Sequence, residues 1–142
     1  MTVAATTGGG ILLQWGPTIP GREALILDVF TQGLGYLDRL IADARLGGRQ
    51  TYLAMDGDLG ANGGFLLVTG TLEQLRALAG EDDWQRFLLA LTGVGEGLTV
   101  GLYGGGDDES ASAVLALHVE VQTQLGLLGT GEPGFTLGVG EA

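Results

Sequence analysis

Two apolar runs with the same shape divide the chain into halves. Ile11-Leu12-Leu13-Gln14-Trp15-Gly16 is echoed by Phe65-Leu66-Leu67-Val68-Thr69-Gly70. Each reads as a strand closed by glycine. Each is followed by residues with helical periodicity, then by glycines and a second strand-like run, around Thr51–Met55 in the first half and Leu98–Tyr103 in the second. The order strand–helix–strand, repeated, is that of a split βαβ fold. In the first helix, expected from about Pro20 to Arg45 and ended by Gly47-Gly48, residues Leu27, Phe30, Leu34, Leu37, Ile41 and Ala44 form a stripe at three- and four-residue spacing. Gly33 and Gly35 interrupt this helix at about 1 kcal/mol each relative to alanine. Close packing of helix on sheet is the preferred reason, and a ligand approaching the backbone is the alternative. The second helix opens at Thr71-Leu72-Glu73-Gln74, a capping box. Gly80 breaks it, and Glu81-Asp82-Asp83 starts a further helix carrying Trp84, Phe87, Leu88 and Leu91.

Leu115 to Leu127 supports two patterns. Strict alternation argues strand, whereas Val114, Leu117, Val121, Leu125 and Leu128 make a helical stripe behind the helix-start cluster Asp107 to Ser112. The acidic clusters Glu81-Asp82-Asp83 and Asp107-Asp108-Glu109 read as helix N-terminal residues, where a carboxylate meets the positive end of the helix dipole, in preference to cation sites. Thr6 to Gly10 reads as part of a loose arm over residues 1–10. Gly129 to Ala142 reads as a tail, or as a final short strand at Phe135 to Val139. The expected organisation is thus an arm over 1–10, one domain over 11–106, a helical extension over 107–128 and a tail over 129–142.

Charge narrows the partners. Of 142 residues, six are basic and 17 acidic, giving a net charge of −11, and every basic residue is an arginine. Such a field repels polyphosphates, and no basic stripe offsets it, so nucleic acid and anionic membranes are not expected partners. A neutral or cationic ligand fits better. The 45% apolar content suits a folded domain with a real core. With no cysteine there is no thiolate zinc site or cysteine nucleophile. The first ten residues lack the basic start and apolar stretch of a signal peptide, and no run approaches the roughly 20 apolar residues that span a bilayer, so the cytoplasm is the default location.

Trp15-Gly16, Pro20-Gly21-Arg22-Glu23, Gly63-Gly64-Phe65 and Asp82-Asp83-Trp84-Gln85-Arg86-Phe87 together resemble small bacterial proteins of the dimeric α/β-barrel superfamily, with the nearest likeness to uncharacterised relatives of the YCII-like group. The resemblance covers about Ile11 to Leu128. It implies an α+β, ferredoxin-like βαββαβ domain with a four-stranded antiparallel sheet that packs face to face with a second copy. It also tips Leu115 to Leu127 toward an extra C-terminal helix. Such superfamilies include cofactor-free monooxygenases, isomerase-like enzymes, haem-dependent members and proteins without known activity. In YCII-like proteins a histidine and an aspartate in the sheet cavity form the suspected polar centre. Here the only histidine, His118, falls beyond the fourth strand.

Strand alternation points to a site independently. If Ile11, Leu13, Trp15, Thr51, Leu53, Met55, Leu98, Val100 and Leu102 face the helices, the opposite face carries Leu12, Gln14, Tyr52, Ala54, Asp56, Thr99, Gly101 and Tyr103. Gln14, Tyr52, Asp56, Thr99 and Tyr103 are then the candidate ligand-binding residues of a mostly apolar cavity, with Asp56 as a possible base if burial raised its pKa. A plain dimer interface rich in tyrosine explains the same residues and is preferred. His118 reads as a surface or packed residue. Asp56-Gly57-Asp58-Leu59-Gly60 departs from a calcium loop at Ala61 and lacks the closing glutamate, so it reads as a polar turn, and no metal site is expected. No serine elbow, phosphate loop or dinucleotide fingerprint is present, and no cofactor is expected. The leading expectation is a homodimer that binds a small apolar or neutral molecule, or simply assembles. A cofactor-free oxygenase or isomerase and an interaction module of a larger complex are the alternatives.

Overall fold

The computed structural model describes residues 3–57 and 62–126. The elements are β1 (Gly8–Trp15), α1 (Glu23–Ala42), β2 (Gly48–Leu53), β3 (Gly64–Thr71), α2 (Leu72–Ala79), α3 (Asp82–Thr92), β4 (Thr99–Gly104) and α4 (Asp108–Gln124). The strands form one antiparallel sheet in the order β2-β3-β1-β4. This is the ferredoxin-like α+β arrangement with an extra C-terminal helix. The two echoed phrases of the sequence are its central strands, paired antiparallel from Gly8↔Thr71 to Trp15↔Gly64. β1 begins at Gly8, within the stretch expected as an arm, because Gly9, Gly10 and Ile11 are held on both sides by β3 and β4.

The helices α1, α2 and α3 cover one face. Ile11, Leu13 and Trp15 of β1 and Leu66 and Val68 of β3 join Leu37, Leu40, Leu75, Leu78, Trp84, Phe87 and Leu91 in a single buried cluster. Trp15, Phe30 and Phe87 form an aromatic chain from sheet to α1 to α3, with ring centroids 4.8 Å and 6.3 Å apart. The stripe of α1 differs from the expected one. Phe30, Leu34, Leu37 and Ile41 pack against the core as expected, Leu27 and Ala44 are exposed, and Gly33 and Leu40 are buried on the inward side as well. Gly33 belongs to the contact face itself, since a side chain there would collide with the Phe87 ring. The close packing expected at Gly33 is therefore helix on helix.

Local signals set the boundaries. Thr71 caps α2, its Oγ1 accepting from the Gln74 amide at 3.1 Å while Gln74 Oε1 accepts from the Thr71 amide at 3.0 Å. α1 starts at Glu23, after the turn of Pro20 and Gly21, and ends at Ala42. The Arg45 amide bonds back to the Leu40 carbonyl and the Ala44 amide to that of Ile41. That closure requires a left-handed residue, and it is Ala44, at φ 58°. Asp107 caps α4, accepting from the Ser110 amide at 2.7 Å, so Leu115–Gln124 is helix and not strand. The buried Ser110 hydroxyl accepts from the Gly8 amide at 2.9 Å and ties α4 to the start of β1. The final strand considered at Phe135 to Val139 lies outside the described residues.

Candidate functional site

The strand registers place every side chain of the sheet on one face or the other, because directly paired residues point the same way. On the face away from the helices three rows cross the sheet from β2 to β4. They are Tyr52–Phe65–Gln14–Thr99, Gln50–Leu67–Leu12–Gly101 and Gly48–Thr69–Gly10–Tyr103. Gln14, Gln50, Tyr52, Thr99 and Tyr103 are exposed, and Leu12, Phe65, Leu67 and Thr69 are half-buried.

This surface is flat and apolar at its centre. The Tyr52 and Phe65 rings stack with centroids 4.8 Å apart and planes 24° from parallel. The Leu67 side chain lies over Gly10, and the Tyr103 ring lies over Gly101, each where a Cβ would sit too close. Both glycines thereby let larger neighbours lie down on the sheet. Amide and hydroxyl groups of Gln14, Gln50, Thr69 and Thr99 surround these side chains. None of the strand residues on this face carries a charge, in a chain with 17 acidic and six basic residues.

Gln14, Tyr52 and Thr99 share the first row, and Tyr103 sits two rows away. With strands about 4.8 Å apart and rows about 6.6 Å apart, the backbone positions of the four span roughly 14 Å by 13 Å. That spread suits the lining of a cavity more than a single reacting centre. Asp56 does not join them. β2 ends at Leu53, and Asp56 lies three residues on, exposed, in a bend beside Gly57 at φ 83°. Residues 58–60 of the Asp56–Gly60 motif are outside the described residues. His118 is exposed on α4.

The helix-covered face also departs from the sequence picture at its edges. Arg49, Thr51 and Leu53 of β2 and Val100 and Leu102 of β4 share the face of Leu13 by register. Leu53 nevertheless remains 68% exposed, and Val100 and Leu102 each 47%, since α1 to α3 concentrate on the two central strands. Met55 is past the end of β2 and exposed. On the open face the residues missed by the sequence reading are Gln50 of β2 and Phe65, Leu67 and Thr69 of β3. Among the described residues no cluster of three or more His, Cys, Asp or Glu side chains could hold a metal, and no helix is long and apolar enough to cross a membrane.

No known protein family matches the sequence, and no curated protein is similar to it. Among solved structures, the fold is similar to that of a dimeric protein of unknown function with a ferredoxin-like fold from Bacteroides fragilis NCTC 9343, with a TM-score of 0.51. The match is 14% identical in sequence and covers 69% of this chain and 96% of the other. The likeness is one of fold.

Proposed function

We propose that this chain forms a homodimer through the open face of its sheet, and that the space between the two sheets takes a small apolar or neutral molecule. The observation that carries this reading is the absence of charge from the strand residues of that face in a chain of net charge −11. Depletion of charge around aromatic side chains is the compositional mark of an interface centre. Tyr52, Phe65, Leu12, Leu67 and Tyr103 supply the apolar surface, and Gln14 and Thr99 supply hydrogen-bonding groups that a bound molecule can use. The similar structure from Bacteroides fragilis is described as dimeric, which agrees with this assembly. The YCII-like resemblance agrees with it too, although its histidine and aspartate have no counterpart on this face. With Asp56 off the sheet, no observation favours an oxygenase or isomerase reading over ligand binding.

Light scattering during gel filtration tests the assembly. The expected result is twice the chain mass of 14.5 kDa, falling to the single-chain mass in Leu67→Arg, with the far-ultraviolet circular dichroism unchanged. Two copies of net charge −11 repel, so the dimer should tighten as salt screens that repulsion. A monomer at every concentration and salt level would overturn the proposal. For the cavity, the neutral probe 1-naphthol should shift the NMR signals of Tyr52 and Tyr103 saturably in the native dimer and not in Leu67→Arg.

A further inference from the structure

A concave site lies away from the open sheet face, in a groove of about 550 Å³ between α1 and α3. Gly33 and Phe87 meet in its lining: with no side chain on α1 at that point, the Phe87 ring of α3 presses against the helix backbone. Val29, Phe87 and Ala90 give it apolar walls, and its volume falls within the usual range of small-molecule sites.

Its charged groups are unlike the rest of the surface. Arg39 and Arg86 both line the groove, facing a single lining carboxylate, Asp83. Most arginines elsewhere are engaged: Arg22 with the Gly93 carbonyl, Arg45 with Glu81, and Arg49 with Asp38. The Arg39 side chain makes no ion pair or hydrogen bond among the described residues. Arg86 pairs with Asp82 at 2.7 Å, but both side chains are largely exposed, and such a pair exchanges its partner at little cost. Tyr36 forms part of the wall. Its hydroxyl is shielded from solvent, and burial, reinforced by Glu81 and Asp83, pushes its pKa above the ordinary value, so the wall carries no phenolate at neutral pH. The lining therefore sums to one unit of positive charge, from two arginines and one aspartate, in a chain whose net charge is −11.

We infer that the α1–α3 groove binds a small monocarboxylate with an apolar body, its carboxylate on Arg39 and its body against Phe87, Val29 and Ala90. A guanidinium presents paired donors that match a carboxylate. One net positive charge suits a monoanion. A phosphate dianion meets Asp83 and the overall negative field, and a neutral molecule leaves Arg39 without its acceptor. This site is independent of the proposed dimer, since none of its lining residues is on the open sheet face.

Titration of the isotopically labelled full chain with phenylacetate, followed by NMR, tests the inference. The expected result is a saturable shift of the Gly33 and Ala90 amides and the Arg39 side-chain signal. Phenylacetamide and the Arg39→Ala variant should each show binding at least about tenfold weaker, the size of one charge-assisted contact. Arg39 is exposed, so its variant keeps the fold, which the near-ultraviolet signal of the buried Trp84 verifies. Arg86→Gln should weaken binding less, since Arg86 is shared with Asp82. Inorganic phosphate should leave the same signals in place. Absence of saturable shifts, shifts confined to Leu12 and Leu67, equal binding of the amide, or equal binding by Arg39→Ala would each overturn the assignment. The result is separable from the dimer test, because Leu67→Arg should retain this binding.

Discussion

The two faces of one sheet receive neighbouring residues of the same type and treat them differently. Leu13 is fully buried under the helices, whereas Leu12 beside it is half-buried on the open face. The covered face concentrates its burial on the two central strands and is clamped at its edge by charge, Arg49 of β2 against Asp38 of α1. The strand residues of the open face carry no charge and keep their apolar side chains flat. One face holds the domain together. The other has the composition of a surface that becomes buried on association.

The largest expected effect breaks this contrast directly. Leu13→Ala removes a side chain from the centre of the cluster and should cost about 3–4 kcal/mol, because the surrounding elements cannot collapse into the space. Leu12→Ala should cost about 1 kcal/mol in a dilute sample, where less apolar area is lost. Urea unfolding at two protein concentrations checks both. A concentration-dependent midpoint for the native chain that vanishes in Leu67→Arg would assign the extra stability to the open face. Next in size is Gly33→Val, which drives a branched side chain into Phe87 and should destabilise by about 1–3 kcal/mol. It acts only through the covered side, so dimer mass at low temperature should be unchanged.

Much of this contrast was legible in the residues. The echoed phrases gave the paired central strands, and alternation in β1 and β4 assigned Leu12, Gln14, Thr99 and Tyr103 to the open face, where register places them. β3 was silent for a physical reason. Phe65-Leu66-Leu67-Val68 is apolar without a break, so period-two facing leaves no mark in it, and only its pairing with β1 shows that Phe65 and Leu67 face outward. Asp56 was placed on the sheet by extending the alternation of Tyr52 past the end of β2, although the Asp56-Gly57 pair is itself a turn signal. Close packing was the expected role of Gly33, but its partner was read as the sheet, whereas the Phe87 ring of α3 lies against it. The α1–α3 groove had no signal of its own, since Arg39 and Arg86 come together only through the packing of two helices.

Two smaller effects sharpen the account of the covered side. Thr71→Ala removes the hydroxyl that caps α2, and a loss of about 1 kcal/mol is expected in thermal or urea unfolding, with Thr71→Ser close to native. Ala44→Gly should act in the opposite direction. The left-handed φ of 58° that closes α1 strains a Cβ, and glycine removes that strain, so a gain of about 0.5–1 kcal/mol is expected. A loss of stability in this variant would show that the greater freedom of glycine in the unfolded chain outweighs the relief.

The smallest effect concerns the charged clamp at the edge of the covered face. Arg49 grips Asp38 with two bonds, Nε to Oδ1 at 2.7 Å and Nη2 to Oδ2 at 3.0 Å, and those bonds hold the Asp38 carboxyl below its ordinary range. A lowered folded-state pKa means that the folded chain binds the proton less readily than the unfolded one. The contribution is therefore complete above the unfolded value, about 3.9, and is lost as pH falls through the lowered value. The Asp38 side chain is exposed, so salt should weaken the effect. Carboxyl-carbon NMR should show Asp38 titrating below the free-aspartate value and moving up toward it in Arg49→Lys, since an ammonium cannot reproduce the two-bond grip. If the clamp belongs to the covered face alone, the Asp38 midpoint should be the same in the native chain and in Leu67→Arg. A shift between them would mean that association of the open faces reaches through the sheet to its far edge.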